Sequence, residues 1–117
     1  MTAHRMSRWR EAPLVNRPFA EMFTAAYLGA RDRRDAGVTP LCGDLSGLPP
    51  MQVQVGSREF LRDDSVTLVE RVVAAGGRAE MILWDGMCHN HQLFAPVLEE
   101  GMDSIERAAA FLRAHLA

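Results

Sequence analysis

The spacing of hydrophobic residues along the chain predicts three helices and two strands. Apolar residues that recur every three or four positions are typical of one face of a helix, and alternating or continuously apolar short runs are typical of strands. By this criterion residues 1–17 form an irregular lead-in. A helix (18–30), a strand (51–55), a helix (apolar stripe over 61–73), a strand (79–84) and a final helix follow. Asp103 and Glu106 have the spacing of a capping box, which predicts that the final helix begins at Asp103.

The order of these elements predicts an α/β chain with an incomplete sheet. A strand–helix–strand unit of this length is expected to be a right-handed crossover between two parallel strands. Parallel sheets normally contain several strands and are covered by helices on both faces. We therefore expect residues 1–117 to form a single partial domain, namely two parallel strands with flanking helices from the end of a doubly wound sheet. Marginal stability and an exposed sheet edge follow from that expectation.

Composition narrows the classes of function. The 117 residues carry a formal charge of −2, which gives no support for binding to nucleic acid or to an anionic membrane. No run approaches the ~20 apolar residues of a membrane span, and the opening residues lack the apolar run of a signal peptide, so a cytoplasmic location is the default expectation. Cys42 and Cys88 are too few for a disulfide framework, although they could pair in an exported protein, and they lack the spacing of a metal site.

Candidate chemistry lies in the two loops that follow the predicted strands. In open parallel sheets the active site lies at the carboxyl ends of the strands. The first loop contains Glu59 and the second contains His89 and His91. An acid that orients a histidine is two-thirds of a nucleophilic triad. The alternative, which spacing alone favours, is that Glu59 caps the following helix and His89 is an ordinary surface residue.

Several segments of the chain together resemble the hormone-sensitive-lipase-like esterases, which have an α/β-hydrolase fold. The blocks that carry this resemblance are Asp44-Leu-Ser-Gly-Leu-Pro-Pro50, Val53-Gln-Val-Gly56, Leu61-Arg-Asp-Asp-Ser65, Asp85-Gly-Met-Cys-His89 and Gln92-Leu-Phe-Ala-Pro96. Ala25-Ala-Tyr-Leu-Gly29 resembles the helix that precedes them in that family. Each block is weak alone, but their order and spacing match from about Glu11 to the C-terminus, so the chain resembles the C-terminal part of such an esterase.

The resemblance assigns roles to particular residues. It implies that Glu59 is the catalytic acid, where many family members have aspartate, and that His89 is the catalytic histidine. Asp63 and Asp64 are the alternative acids, although they are better placed to favour the dipole of the following helix. His91 is expected to be a neighbour of the site rather than a metal ligand. No cofactor or metal is implied.

The chain departs from the family pattern at the nucleophile. None of its serines lies in Gly-x-Ser-x-Gly, and no His-Gly-Gly-Gly oxyanion loop is present. Ser57 follows a strand, but it lies in the acid loop itself. The resemblance therefore implies a fragment of a serine-triad carboxylic-ester hydrolase that is inactive alone and acts on a small-molecule ester only when an N-terminal half completes it.

Two other functions stay open at this level. One is a non-catalytic interaction module, whose exposed sheet edge would support a homo-oligomer or bind a complementing chain. The other is a small binding domain unrelated to hydrolases.

Four apolar residues could line an acyl pocket, although a core position is expected for each: Met22, Phe23, Leu93 and Phe94.

Overall fold

The structure is a computed structural model, and it describes residues 12–116. Residues 1–11 of the predicted lead-in (1–17) therefore lie outside the described residues. The described chain forms three helices, two strands and two short 3-10 turns. In chain order they are helix α1 (Arg17–Leu28), a turn (Pro40–Cys42), strand β1 (Met51–Gly56), helix α2 (Arg62–Ala74), strand β2 (Ala79–Trp84), a turn (His91–Phe94) and helix α3 (Glu99–His115).

The two strands pair in parallel, as the crossover pattern predicts. Their register aligns Met51 with Ala79 and Gly56 with Trp84, so the carboxyl ends of both strands lie side by side. Alternate side chains of a strand face opposite sides of the sheet. Gln54 faces α3, whereas Val55 faces the other side, where α2 packs. The result is one layer of sheet between two helices, and it places the loops after β1 and β2 next to each other.

Helix α2 ends where the sequence predicts, at a glycine pair. Gly76 has a φ of +83°, a left-handed conformation that glycine adopts without strain. The N–H of Gly76 donates to the carbonyl of Val73, and the N–H of Gly77 donates to that of Val72. These are the two hydrogen bonds of a Schellman motif, which satisfies the last carbonyls of the helix and turns the chain back towards β2.

Helix α3 begins four residues before its predicted start, so the predicted capping box is wrong. Asp103 lies inside the helix, the capping residue is Leu98, and Glu99 and Glu100 occupy the first turn. Carboxylates there favour the positive end of the helix dipole. Gly101, which the sequence pattern assigns to the preceding loop, is buried inside the helix.

Helix α1 occupies almost the predicted range, but its apolar face is not covered. The side chain of Asn16 accepts a hydrogen bond from the N–H of Phe19 at 3.2 Å and caps the helix. Met22 and Phe23 are more than half exposed, and no residue of α1 is buried. The core position expected for Met22 and Phe23 is therefore wrong.

The buried core of the described residues is small. The buried apolar side chains are Ala12, Leu45, Val55 and Val72. Leu93 and Phe94 are exposed as well, so the core position expected for them is also wrong. A two-stranded sheet offers too little surface to cover all the apolar faces that the sequence encodes, which is why a correct helix pattern did not predict burial. None of the helices within residues 12–116 has the length and apolar character needed to cross a membrane.

Candidate active site

The structure brings Glu59 and His89 together at the carboxyl ends of the strands. Nδ1 of His89 lies 2.8 Å from Oε2 of Glu59, within hydrogen-bond distance. The Glu59 side chain is only 7% exposed, whereas that of His89 is 30% exposed. The carboxylate is therefore held beneath the ring, and the histidine keeps access to solvent. Of the two open interpretations, the structure favours the paired arrangement over an isolated surface histidine.

The pairing determines which nitrogen of His89 can act as a base. An ionised carboxylate only accepts hydrogen bonds, so Nδ1 must carry the proton that is donated to Glu59. In the neutral imidazole, Nε2 then has the free lone pair. A histidine held in this tautomer can accept a proton at Nε2, and the carboxylate stabilises the imidazolium that forms.

Gly56 allows the two loops to approach each other closely. A Cβ atom at this position would lie 2.2 Å from the carbonyl oxygen of Met87 and 3.0 Å from that of Cys88. Such distances are far inside van der Waals contact with backbone that cannot move independently. Glycine at the end of β1 is therefore required for the histidine loop to lie over the acid loop.

Main-chain hydrogen bonds extend the strand pairing into the loops. The N–H of Ser57 donates to the carbonyl of Trp84 at 2.9 Å, and the N–H of Arg58 donates to that of Met87 at 3.1 Å. These bonds continue the pairing of β1 with β2 for two residues beyond the end of β1. Glu59 follows directly, so its backbone position is determined by the sheet rather than by a free loop.

The side chain of Ser57 also joins the two loops. Its hydroxyl donates to Oδ1 of Asp85 at 3.1 Å and accepts from the N–H of Gly86 at 2.8 Å. Gly86 has a φ of +71°, so the hydroxyl bonds to the turn at its left-handed residue. With both partners in the β2 turn, Ser57 lacks the hydrogen bond to an imidazole that activates a serine nucleophile.

The alternative acids lie elsewhere. Asp63 and Asp64 are in the first turn of α2, as the sequence analysis expects, where negative charge favours the helix dipole. Glu59 is the carboxylate that contacts His89.

His91 has an environment that the sequence did not predict. It is 2% exposed, and its ring lies 5.4 Å from that of Trp84, centroid to centroid. Its Nε2 is buried and has no hydrogen-bond partner among the described residues. Burial lowers the pKa of His91 below its ordinary value of 6.5, and this outweighs opposing effects from the Cys88 backbone, Glu59 and Glu100. The neutral imidazole is therefore the favoured form in the folded chain.

A polar network fixes the histidine loop onto α3. The side-chain amide of Gln92 donates to Oγ of Ser104 at 2.7 Å, and that hydroxyl in turn donates to Oε1 of Gln54. Gln54 also accepts from the indole N–H of Trp84 at 2.9 Å and donates to the carbonyl of Ser104 and the amide oxygen of Gln52. All hydrogen-bonding positions of the Gln54 amide are thus occupied.

The histidine and cysteine side chains of the described residues were compared with the requirements of a metal site and of a disulfide. Within residues 12–116, no cluster of three or more histidine, cysteine, aspartate or glutamate side chains could hold a metal ion. His89 and His91, which form a His-x-His pair in sequence, contact different partners. Cys42 and Cys88 are both free thiols.

Sequence reasoning missed the residues that hold the site in place. The functions of Ser57, Gln92 and Ser104 depend on contacts across the sheet that single-sequence patterns do not encode. One signal was available, since a glycine at the end of a strand often marks a close approach of another backbone. Gly56 carries that signal.

Comparison with known proteins places the fold in one class, the alpha/beta hydrolases. A family model described as "alpha/beta hydrolase fold" matches residues 1–93. An acetyl-hydrolase of Streptomyces hygroscopicus is 44% identical over 87 residues, which cover 74% of this chain and 29% of that protein. A carboxylesterase of Mycobacterium tuberculosis is 31% identical over 108 residues, which cover 88% of this chain and 34% of that protein.

Solved structures agree with these matches. An esterase from the bacterial hormone-sensitive lipase family superposes with a TM-score of 0.92 at 40% identity, over 97% of this chain and 38% of that one. A hormone-sensitive lipase from a metagenome library gives a TM-score of 0.93 at 30% identity, over 98% and 40%. The chain belongs to the alpha/beta hydrolase family and is similar to the C-terminal part of its hormone-sensitive-lipase-like esterases. It spans about a third of the length of the relatives it matches.

Proposed function

We propose that this chain supplies the acid and the histidine of a serine-type carboxylic-ester hydrolase, and that the nucleophilic serine lies outside these 117 residues. The observation that carries the proposal is the 2.8 Å contact between Nδ1 of His89 and Oε2 of Glu59. Among the relatives are proteins named as an acetyl-hydrolase and a carboxylesterase, which supports an ester substrate.

In this mechanism each residue has one task. His89 Nε2 removes the proton from the serine hydroxyl as that oxygen attacks the ester carbonyl. Glu59 holds the ring in the correct tautomer and stabilises the imidazolium. The imidazolium then protonates the leaving alcohol, and a second cycle with water releases the acid. Because the serine and the oxyanion donors supply the largest catalytic effects, the chain by itself is expected to be inactive.

A chimaera tests the pair directly. This chain would replace the corresponding C-terminal part of the Streptomyces hygroscopicus acetyl-hydrolase, and hydrolysis of a short-chain p-nitrophenyl ester would be measured. We expect the chimaera to be active, His89→Ala to lower kcat by about a thousandfold or more, and Glu59→Ala to lower it by a comparable factor. Asp63→Ala is the matched control, since it removes a carboxylate four residues away and is expected to leave kcat within about twofold.

Two results would overturn the proposal. If a folded chimaera loses its activity on Asp63→Ala but not on Glu59→Ala, the catalytic acid is Asp63 and not Glu59. Turnover by the isolated chain that His89→Ala removes would show that a nucleophile is present in these residues.

A second candidate function, association with another chain, is favoured by the uncovered apolar surface. Phe19, Phe23 and Tyr27 on α1 are each about half exposed or more, and the rings of Phe19 and Phe23 lie 4.5 Å apart. A groove of about 450 Å³ also lies between β1 and α3, and its lining includes Gln54 and Leu112. Surfaces of this kind commonly mark interaction sites.

Sedimentation velocity separates this candidate from the first. If the α1 face mediates association, the wild-type chain sediments as a dimer or larger species and Phe23→Glu sediments as a monomer. The control is Arg31→Glu, an exposed charge change just beyond the helix. A wild-type chain that stays monomeric at all concentrations would remove this candidate and leave the first unchanged.

A further inference from the structure

We propose that Ser57 is a positioning residue that fixes the separation between Glu59 and His89 by clamping the acid loop to the turn after β2. This inference rests on the proposed function, because the pair it positions is the proposed acid–histidine pair. Ser57 itself touches neither the imidazole nor the Glu59 carboxylate, and no proton transfer passes through it. Its effect is on geometry.

The Ser57 clamp acts close to both members of the acid–histidine pair. Ser57 lies two residues before Glu59, and its partners Asp85 and Gly86 lie four and three residues before His89. The hydroxyl donates to Asp85 and accepts from the Gly86 N–H, at 3.1 and 2.8 Å. Both sides of the pair are therefore held at a short chain distance from the same hydroxyl group.

Main-chain hydrogen bonds join the two loops at Trp84 and Met87, but none of those within residues 12–116 ties the turn between them to the acid loop. The acid loop bonds to β2 and to Met87 through the N–H groups of Ser57 and Arg58. Gly86, in contrast, is exposed and left-handed, and its N–H has the Ser57 hydroxyl as its partner. The hydroxyl therefore holds the turn that lies between these main-chain bonds, on the path from β2 to His89.

A small displacement of either loop would weaken the hydrogen bond between His89 and Glu59. A hydrogen bond between a ring nitrogen and a carboxylate weakens steeply with distance and angle, so a shift of about 1 Å would break it. The clamp lies on the exposed side of the loops, where water can replace a lost hydroxyl. We therefore expect a moderate loss of the pair on removal of the clamp, rather than unfolding of the chain.

The test measures the pair itself, by nuclear magnetic resonance of nitrogen-labelled imidazole in the purified chain. A hydrogen bond to Glu59 gives the His89 Nδ1–H proton a downfield, slowly exchanging resonance that Glu59→Ala removes. We expect Ser57→Ala to increase the exchange rate of this proton by about fivefold or more, the effect of losing one ordinary hydrogen bond. Ser57→Thr keeps the hydroxyl and is expected to restore the wild-type rate.

Ser46→Ala is the matched control. Its backbone N–H donates to Asp44 at 2.9 Å, and the pKa of Asp44 lies below its ordinary value because that N–H and then the Ser46 hydroxyl donate to it. Like Ser57, this serine bonds to an aspartate, but it precedes β1 instead of following it. Ser46→Ala is expected to leave the His89 resonance unchanged.

The outcomes separate the two proposals. If Ser57→Ala keeps the wild-type exchange rate, the clamp is overturned and the pair stands. If the wild-type chain has no resonance that depends on Glu59, the pair and the clamp are both overturned. Should Ser57→Ala fail to fold, Asp85→Ala removes one of the two hydroxyl bonds and carries the same test, with an expected increase of about twofold to fivefold. In the chimaera, Ser57→Ala is expected to lower kcat without changing KM, and Ser57→Thr to restore it.

Discussion

At the scale of single residues, Gly56 determines whether the two loops can meet. Gly56→Ala places a Cβ atom 2.2 Å from the Met87 carbonyl oxygen, so the histidine loop must move away from the acid loop. We expect the free energy of unfolding to fall by about 1–3 kcal/mol, as is typical of overpacking. Urea titration followed by circular dichroism measures this change.

The comparison for Gly56 is Gly86→Ala. A Cβ atom at Gly86 meets nothing within 4 Å, but its φ of +71° makes alanine strained there. That variant is expected to lose about 1 kcal/mol through the backbone alone. Wild-type stability of Gly56→Ala would show that the contact with Met87 relaxes without cost and that the loops do not depend on it.

His91 makes the free energy of unfolding depend on pH. Because burial lowers the pKa of His91 in the folded chain, the unfolded chain binds its proton first as the pH falls. The free energy of unfolding that His91 contributes is therefore fully present above about pH 6.5, the ordinary pKa. It is lost progressively as the pH decreases from there towards the lower pKa of the folded state.

Replacement of His91 by phenylalanine, which keeps a ring against Trp84, tests this. We expect His91→Phe to remove part of the stability loss between about pH 6.5 and pH 5, measured as urea midpoints at several pH values. Met102→Ala, at an exposed position of α3 and without a titratable side chain, is the control and should leave the pH dependence unchanged. A wild-type chain whose stability is constant across this range would contradict the prediction.

At the scale of elements, Gly101 distinguishes local propensity from tertiary contact. Alanine is favoured over glycine within a helix by about 1 kcal/mol, so propensity alone predicts that Gly101→Ala stabilises α3. In the structure a Cβ atom there would lie 2.9 Å from the backbone of Ala95 and 3.0 Å from the carbonyl oxygen of His91. We therefore expect the opposite sign, a loss of about 1–3 kcal/mol.

Thermal and urea unfolding of Gly101→Ala give that sign directly. Met102→Ala, at a neighbouring exposed position of the same helix, is expected to stay within about 0.5 kcal/mol of wild type. If Gly101→Ala is more stable than wild type, the helix does not pack on the histidine turn as the structure describes.

The same helix shows how far sequence patterns extend for this fold. Local signals were sufficient for both strands and for the end of α2, since alternation and the Gly76–Gly77 pair act through neighbouring residues. The start of α3 was predicted wrongly because Asp103 and Glu106 have the spacing of a capping box, although both lie inside the helix. The strand ends indicated the loops of Glu59 and His89, and the family resemblance implied their roles. The contacts of Ser57 lie across the sheet, where local patterns give no signal.

At the scale of the whole molecule, the elements are correct but their surfaces are not all covered. The apolar stripe of α1 was correctly predicted, yet no residue of that helix is buried. Ile105 and Leu112, on the predicted apolar face of α3, are 44% and 51% exposed. Periodicity shows which face of a helix is apolar, and only the rest of the fold decides whether that face meets a partner.

This incomplete coverage predicts that stability depends on protein concentration. Folding of a monomer is independent of concentration, but if the exposed faces bind a second copy, association stabilises the folded chain by mass action. For a chain that is folded mainly as a dimer, raising the concentration from about 1 to about 100 μM is expected to increase the apparent free energy of unfolding by about 2.7 kcal/mol.

Thermal unfolding at several concentrations measures this effect, with the chimaera as the control, because there the same faces are expected to lie against the remainder of a complete hydrolase. We expect the melting temperature of the isolated chain to rise with concentration and that of the chimaera to stay constant. If the isolated chain melts at one temperature throughout, its apolar faces bind no second copy. The four buried apolar side chains and the network around Gln54 would then have to be sufficient to hold the described residues folded.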